Sequence, residues 1–284
     1  MKIAKTIKSA KNQIFKAKSA GKIIGFVPTM GALHNGHLSL VRAAKKDCDF
    51  VVVSIFVNPT QFGPKEDFRK YPRVFNSDKR MLKKGKVDLI FCPSVSEMYA
   101  KNFSTYVEET FLSKPLCGLT RPGHFRGVCT VVAKLFNIVA ADIAYFGQKD
   151  YQQACIIKRM VKDLNFPTAV KVCPTIREKD GLAMSSRNAY LNSEERKDAL
   201  VLTQSLELAK ELIKKGETDA KKIIGKIRKY ILSRKTAKVN YIGIVDAESL
   251  QCVKKIRKRT LIVLAVYIGK TRLIDNIIIH LKGK

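Results

Sequence analysis

His34 and His37 lie three residues apart in Pro28-Thr29-Met30-Gly31-Ala32-Leu33-His34-Asn35-Gly36-His37-Leu38, directly after an apolar run at 23–27 and directly before a helical pattern. A strand-to-helix turn at the carboxyl edge of a parallel sheet aims free backbone N–H groups and the positive end of a helix at its ligand, and phosphate suits that position. Gly31 and Gly36 would let a ligand approach the main chain closely. His34 and His37 could donate hydrogen bonds to phosphate oxygens as charge builds in a transition state. A zinc site is the other sharp reading. It needs a third ligand at matching spacing, which neither His124 nor any cysteine supplies.

Three further constellations could bear chemistry, and the first of them repeats this form. Gly147-Gln148-Lys149-Asp150-Tyr151-Gln152-Gln153 stands at the end of another strand and the start of another helix. There Lys149 offers a mobile cation for phosphates, Asp150 an acceptor for ribose hydroxyls, and Gln153 an amide that both donates and accepts. Leu182-Ala183-Met184-Ser185-Ser186-Arg187-Asn188 reads as a loop whose hydroxyls and guanidinium could close over a triphosphate. Asn58-Pro59-Thr60-Gln61-Phe62-Gly63 closes the second strand, where amide side chains suit a small hydroxy acid, with an Asn-Pro turn as the plainer alternative.

The elements that must position these residues follow from periodicity. Short apolar runs at 23–27, 51–57, 87–92, 143–146 and 170–176 read as strands covered on both faces, the mark of a parallel sheet. Helical patterns fill the gaps at 36–46, 77–84, 128–140 and 151–164, so the alternation predicts an α/β doubly wound sheet. Beyond 176 the character shifts. Asn192 or Ser193, with Glu195 completing a capping box, predicts a long helix to about 215, a second helix from 218, and strands at 239–245, 260–267 and 273–280. The expected division is therefore a first domain over 1–176 and a smaller α+β domain over 177–284.

Composition narrows the class. The 284 residues are 46% hydrophobic and 27% charged, which excludes a disordered chain. Lys and Arg number 54 against 24 Asp and Glu, a net +30 that favours anionic ligands without choosing among them. The dense run Lys254, Lys255, Arg257, Lys258 and Arg259 is a solvated turn or an anion-binding patch. No aromatic stacking pattern accompanies the charge, so nucleic acid is not an expected partner. Seven cysteines without close pairs read as reduced thiols. The acid-free segment 1–46 lacks an Arg before Arg42 and runs straight into the first strand, unlike a cleaved targeting peptide. The longest apolar run, 261–268, is too short to span a bilayer, and a soluble cytoplasmic protein is expected.

Taken in order, these segments resemble the pantothenate synthetase (pantoate–β-alanine ligase) family. HxGH alone, the HIGH-type motif, resembles nucleotidyltransferases and class I aminoacyl-tRNA synthetases generally, and 182–188 resembles their KMSKS-type loop. The full turn together with GxKDYQQ and AMSSRN is specific. Tyr71-Pro72-Arg73, Arg121-Pro122-Gly123-His124-Phe125-Arg126-Gly127, Val245-Asp246-Ala247-Glu248 and Thr271-Arg272-Leu273-Ile274-Asp275-Asn276 extend the resemblance over nearly the whole chain.

The resemblance implies a Rossmann-like first domain, a smaller lid domain and a homodimer. It also implies ATP with Mg2+, pantoate and β-alanine as substrates and an acyl-adenylate intermediate. By the same resemblance Met30, Gly31, Ala32, Leu33, His34, Asn35, Gly36 and His37 hold ATP, with His37 as proton donor. Gly147, Gln148, Lys149 and Asp150 hold ribose and phosphate, Ile176 the adenine through its backbone, and Met184, Ser185, Ser186 and Arg187 the triphosphate. Gln61 and Gln153 bind pantoate, with Asn58 nearby. His34, His37, Lys149 and Arg187 are expected to meet transition-state charge, as displacement on a polyanion demands.

Overall fold

A computed structural model describes residues 1–64, 66–257 and 259–281. The chain runs β1 (Lys2–Ala4), α1 (Ile7–Ser19), β2 (Ile24–Thr29), α2 (Asn35–Asp47), β3 (Phe50–Ile55), α3 (Phe75–Lys84), β4 (Leu89–Phe91) and α4 (Val95–Met98). It continues α5 (Cys117–Thr120), α6 (His124–Val139), β5 (Ile143–Gly147), α7 (Tyr151–Asp163) and β6 (Ala169–Cys173). Last come α8 (Ser193–Ala199), α9 (Val201–Lys214), α10 (Ala220–Ile231), β7 (Ala237–Asp246), β8 (Arg259–Ile268) and β9 (Thr271–His280). Two compact units result. The first is Met1–Ser113, Arg121–Gln148 and Gln153–Pro174, and the second is Lys114–Thr120, Lys149–Gln152 and Thr175–Lys284.

The first unit is built on a six-stranded parallel sheet in the order β1-β4-β3-β2-β5-β6. Ile24, Phe26, Val27, Val51, Val52 and Val53 have no exposed surface, because helices cover both faces and leave no polar side to alternate with. From β2 the chain winds outward to β3 and β4, then crosses back and adds β5 and β6 on the other side. The reversal falls between β2 and β5, and doubly wound sheets bind ligands outside the carboxyl ends of the strands at such a point. The five expected strands are all present, but the fifth, β6, is not covered on both faces as expected: it stands at the sheet's edge, with Ala169 and Lys171 exposed and only Cys173 buried. The sixth, β1, pairs only three residues with β4, too few for any period to show. Helix α1 also went unread. Its start is marked by Thr6, whose hydroxyl accepts from Ser9 N–H, but its lysines leave only Ala10, Ile14 and Ala17 buried.

The second unit carries a three-stranded antiparallel sheet, β7-β8-β9, whose apolar residues pack with those of α9 and α10 in one core. The expected long helix from 192 is two helices. Asn192 caps the first and Glu195 returns the capping box, as read, but at Leu200 the N–H reaches back three residues to Lys197 instead of four, and the α-helical hydrogen-bond pattern is interrupted there. The basic run between β7 and β8 is part of the unit's framework. Lys255 and Asp219 pair through their backbones as an isolated antiparallel bridge, the Lys254 carbonyl accepts from Ala220 N–H at the start of α10, and Arg259 opens β8 with its guanidinium on Glu248. Lys258 lies outside the described residues.

Candidate active site

The turn after β2 is wired by its own histidines. His34 is the N-cap of α2 and accepts Gly36 N–H on Nδ1 at 3.1 Å; His37, three residues on, accepts His34 N–H on its own Nδ1 at 3.3 Å. This is a capping box with imidazoles in place of the usual hydroxyl and carboxylate. A nitrogen that accepts carries no proton, so in each neutral ring the proton is on Nε2. The rings lie 4.1 Å apart between centroids, both half-buried, and each offers Nε2–H as a donor.

The expectation that free main-chain N–H groups here receive phosphate is corrected. Gly31 N–H donates to Thr29 Oγ1, Ala32 N–H to Asp78 Oδ2 at 3.0 Å, and Leu33 N–H to Asp78 Oδ1 at 2.8 Å. The N–H groups of His37 and Leu38 donate to the His34 carbonyl. Those five amides, with His34 and Gly36, already have acceptors within the chain. Gly31 and Ala32 take left-handed conformations, φ +81° and +50°, to turn the chain beneath α2. Asp78 is 1% exposed; burial pushes its carboxyl above the ordinary aspartate range, and the two amide bonds pull it partly back.

Gln61 is held from several sides. Its Oε1 accepts from Asn58 Nδ2 at 3.0 Å, and its Nε2 donates to Met30 Sδ at 3.2 Å. Its carbonyl faces His124 Nδ1 at 2.8 Å. Asn58, expected beside the substrate, is 1% exposed and spends its amide on the protein. Nδ2 reaches Gln61 and the Gly127 carbonyl, and Oδ1 accepts from the hydroxyls of Tyr99 and Thr60. Its role is to set which end of the Gln61 amide points where. Gln153 is half-buried in the first turn of α7. At the carboxyl end of β5, a Cβ on Gly147 would meet no protein atom within 4 Å, so packing alone does not require glycine there.

Within the second unit, Lys149, Ala183, Ser185, Asn188 and Asp275 line one small cavity. Asn276 Nδ2 donates to the Lys149 carbonyl at 2.9 Å and fixes the backbone that carries this cation, while Asp150 is exposed. The segment around Met184 is more ordered than a loop. Arg177 and Ala183 pair as a small hairpin, the Ile176 carbonyl accepts from Met184 N–H, and Ser185 caps a 3-10 turn over Ser186–Tyr190. Arg177 anchors the hairpin on the buried Asp275 through two bonds, 2.6 and 3.0 Å. Met184, Ser185, Ser186 and Arg187 are half-buried.

Sequence reading missed the supports: Asp78, Tyr99, Arg121 and His124 in the first unit, Asp275 and Asn276 in the second. The strings around Arg121 and Asp275 were visible, but nothing local shows what such residues touch. Among the described residues no three His, Cys, Asp or Glu side chains gather as a metal cluster, and no helix is long and apolar enough to cross a membrane.

A parallel sheet wound both ways from β2, with HxGH on the carboxyl end of that strand, defines a Rossmann-like enzyme of the HxGH class. The family model for pantoate-beta-alanine ligase matches residues 2–278. The pantothenate synthetase of Thermotoga neapolitana is 56% identical over 279 residues, covering 98% of this chain and 100% of that protein. The crystal structure of pantothenate synthetase from Thermus thermophilus superposes with a TM-score of 0.93 at 42% identity, over 98% of this chain and 99% of the other. That of pantoate-beta-alanine ligase from Francisella tularensis, complexed with beta-gamma ATP and beta-alanine, gives 0.80 at 38% identity over 98% and 97%. The chain belongs to the pantoate–β-alanine ligase family, and it is a ligase.

Proposed function

We propose that His34 and His37, through their Nε2–H donors, stabilise the phosphate charge that develops while ATP adenylates pantoate, with His37 as the proton donor. The enzyme condenses pantoate with β-alanine and consumes ATP, giving pantothenate, AMP and pyrophosphate. In the first half, a carboxylate oxygen of pantoate attacks the α-phosphorus and the bond to the β-phosphate oxygen breaks, releasing pyrophosphate. In the second, the amine of β-alanine attacks the pantoyl carbonyl, loses a proton, and AMP leaves. Magnesium enters with ATP as part of the substrate, with phosphate oxygens among its ligands.

The observation that carries this reading is the double-imidazole capping box, which pins both Nδ1 atoms and so presets both donors before substrate arrives. Met30 to His37 and Gly147 to Asp150 are assigned to ATP. Gln61 and Gln153 are assigned to pantoate, with Asn58 orienting Gln61 instead of touching substrate. Ile176, whose carbonyl is engaged by Met184, is assigned to adenine, and Met184 to Arg187 to the triphosphate, with Lys149 and Arg187 as its cations. We assign the enzyme to the cytoplasm as a homodimer. Light scattering in solution at twice the chain mass supports the dimer, and a monomer mass removes it.

The test is nucleotide product analysis with ATP, magnesium, pantoate and β-alanine beside a folded His37→Ala variant. AMP and pyrophosphate that depend on pantoate and fall at least about a hundredfold in the variant support the reading. ADP as product, or unchanged turnover in the variant, overturns it.

A further inference from the structure

We propose that Asp78 is a positioning residue for the ATP half-reaction: its carboxylate takes the place of an anion on the Ala32 and Leu33 amides and holds the turn in its ATP-receptive shape before nucleotide binds. Two consecutive N–H groups in a left-handed turn form a concavity that captures anions. In this chain that concavity is filled by the protein itself. Each carboxylate oxygen takes one amide, Oδ2 from Ala32 and Oδ1 from Leu33, and the side chain is 1% exposed.

The clamp acts on the histidines through the residues it holds. Ala32 carries a Cβ in a conformation that alanine rarely adopts, φ +50°, so without a partner for its N–H the residue relaxes toward negative φ. Leu33 is the residue before His34, the N-cap of α2. A change in its direction moves the His34 ring, and the capping box that sets both imidazoles opens. The fit is tight on the other side as well: a Cβ at Gly31 would lie 3.0 Å from Asp78 Oδ2 and from Ile55 Cγ2. An ionised carboxylate is acceptor-only and serves both amides; an asparagine turns N–H against one of them. Asp78 touches no reacting atom in this reading, and its effect passes through His34 and His37. Gln61 and Gln153 stand on other elements, and Gln61 meets this turn at Met30 Sδ, ahead of the clamped Ala32 and Leu33, so the effect on pantoate recognition is expected to be the smaller one.

The inference rests on the assignment of ATP to this turn. It is tested with Asp78→Asn in the full chain, measuring kcat and the KM of ATP and of pantoate with the melting temperature. The expected result is kcat/KM for ATP down tenfold or more with pantoate KM within twofold. A kcat/KM for ATP within twofold overturns the proposal, and so does a parallel fall for both substrates that tracks lost folded protein. Should the variant not fold, the unmodified chain decides by amide exchange in the absence of ATP. Protection of the Ala32 and Leu33 amides at least a hundredfold above free-chain rates supports the clamp, and free-chain rates overturn it. If the unmodified enzyme forms no AMP, the assignment of ATP is at fault, while amide exchange judges the clamp by itself.

Discussion

His124 donates from Nδ1 to the main-chain oxygen of Gln61 across 2.8 Å, and a guanidinium dictates that direction. Arg121 NH1 lies 2.9 Å from His124 Nε2; arginine only donates, so Nε2 accepts and the ring proton stays on Nδ1. Glu66 in turn grips Arg121 with both carboxylate oxygens, at 2.7 and 2.6 Å. A chain of carboxylate, guanidinium and imidazole thus ends on the backbone of the residue assigned to pantoate. His124→Phe keeps the ring volume and removes the donor. It is expected to raise the pantoate KM about tenfold and to cost roughly 1–3 kcal/mol of stability, since the Gln61 carbonyl loses its short bond and Arg121 NH1 loses the ring nitrogen as acceptor. Steady-state kinetics and urea unfolding read both, and an unchanged pantoate KM would show that the network carries packing only.

Gly127 on α6 meets the 59–61 turn so closely that a Cβ there would lie well inside van der Waals contact distance of the Thr60 carbonyl and 2.7 Å from the Gln61 Cα. Gly127→Ala is expected to push that turn away, costing about 1–3 kcal/mol and pantoate affinity together. Full stability with normal kinetics would mean that α6 shifts freely.

Stability should fall in mild acid, and the sign follows from Glu66. Burial raises its carboxyl, but the hydrogen bonds and charge of Arg121 outweigh that and hold it below the usual glutamate range. Glu178 behaves alike, with burial opposed and outweighed by Arg196 and Asn188. A depressed folded-state value contributes stability above the unfolded value and loses it as pH falls through the folded one. Melting temperature should therefore drop between about pH 5 and pH 3, with a shallower drop in Glu66→Gln. Parallel curves for the two proteins would rule out the Glu66 contribution.

In the second unit, Asp275→Ala leaves Arg177 without its carboxylate. Breaking a buried pair costs about 3–5 kcal/mol, and the lower end applies here because the Arg177 side chain is 29% exposed while Asp275 is 1%. The 177–183 hairpin is expected to fray, raising the KM of ATP through Met184 to Arg187. Urea unfolding with ATP kinetics tests this; a loss under about 1 kcal/mol would count against the anchor.

Much of the fold was legible because β2 to β5 are largely buried and announce themselves as apolar runs, with the edge strand β6 weaker because it exposes Ala169 and Lys171, and because helices between them carry a 3.6-residue period. The His34 to His37 turn was legible for a similar reason: glycine, histidine and helix start fall at fixed local spacing. What no local pattern encodes is which distant group meets which. Asp78 lies 46 and 45 residues from the amides it clamps, Glu66 lies 55 from Arg121, and Asp275 lies 98 from Arg177. The amino-acid sequence by itself determined the parallel sheet, the two histidines at its switch point and the family. Only the tertiary structure decided that the amides of Ala32 and Leu33 are spent on Asp78, because burial of a carboxylate against two N–H groups depends on how α3 packs, not on the residues beside it.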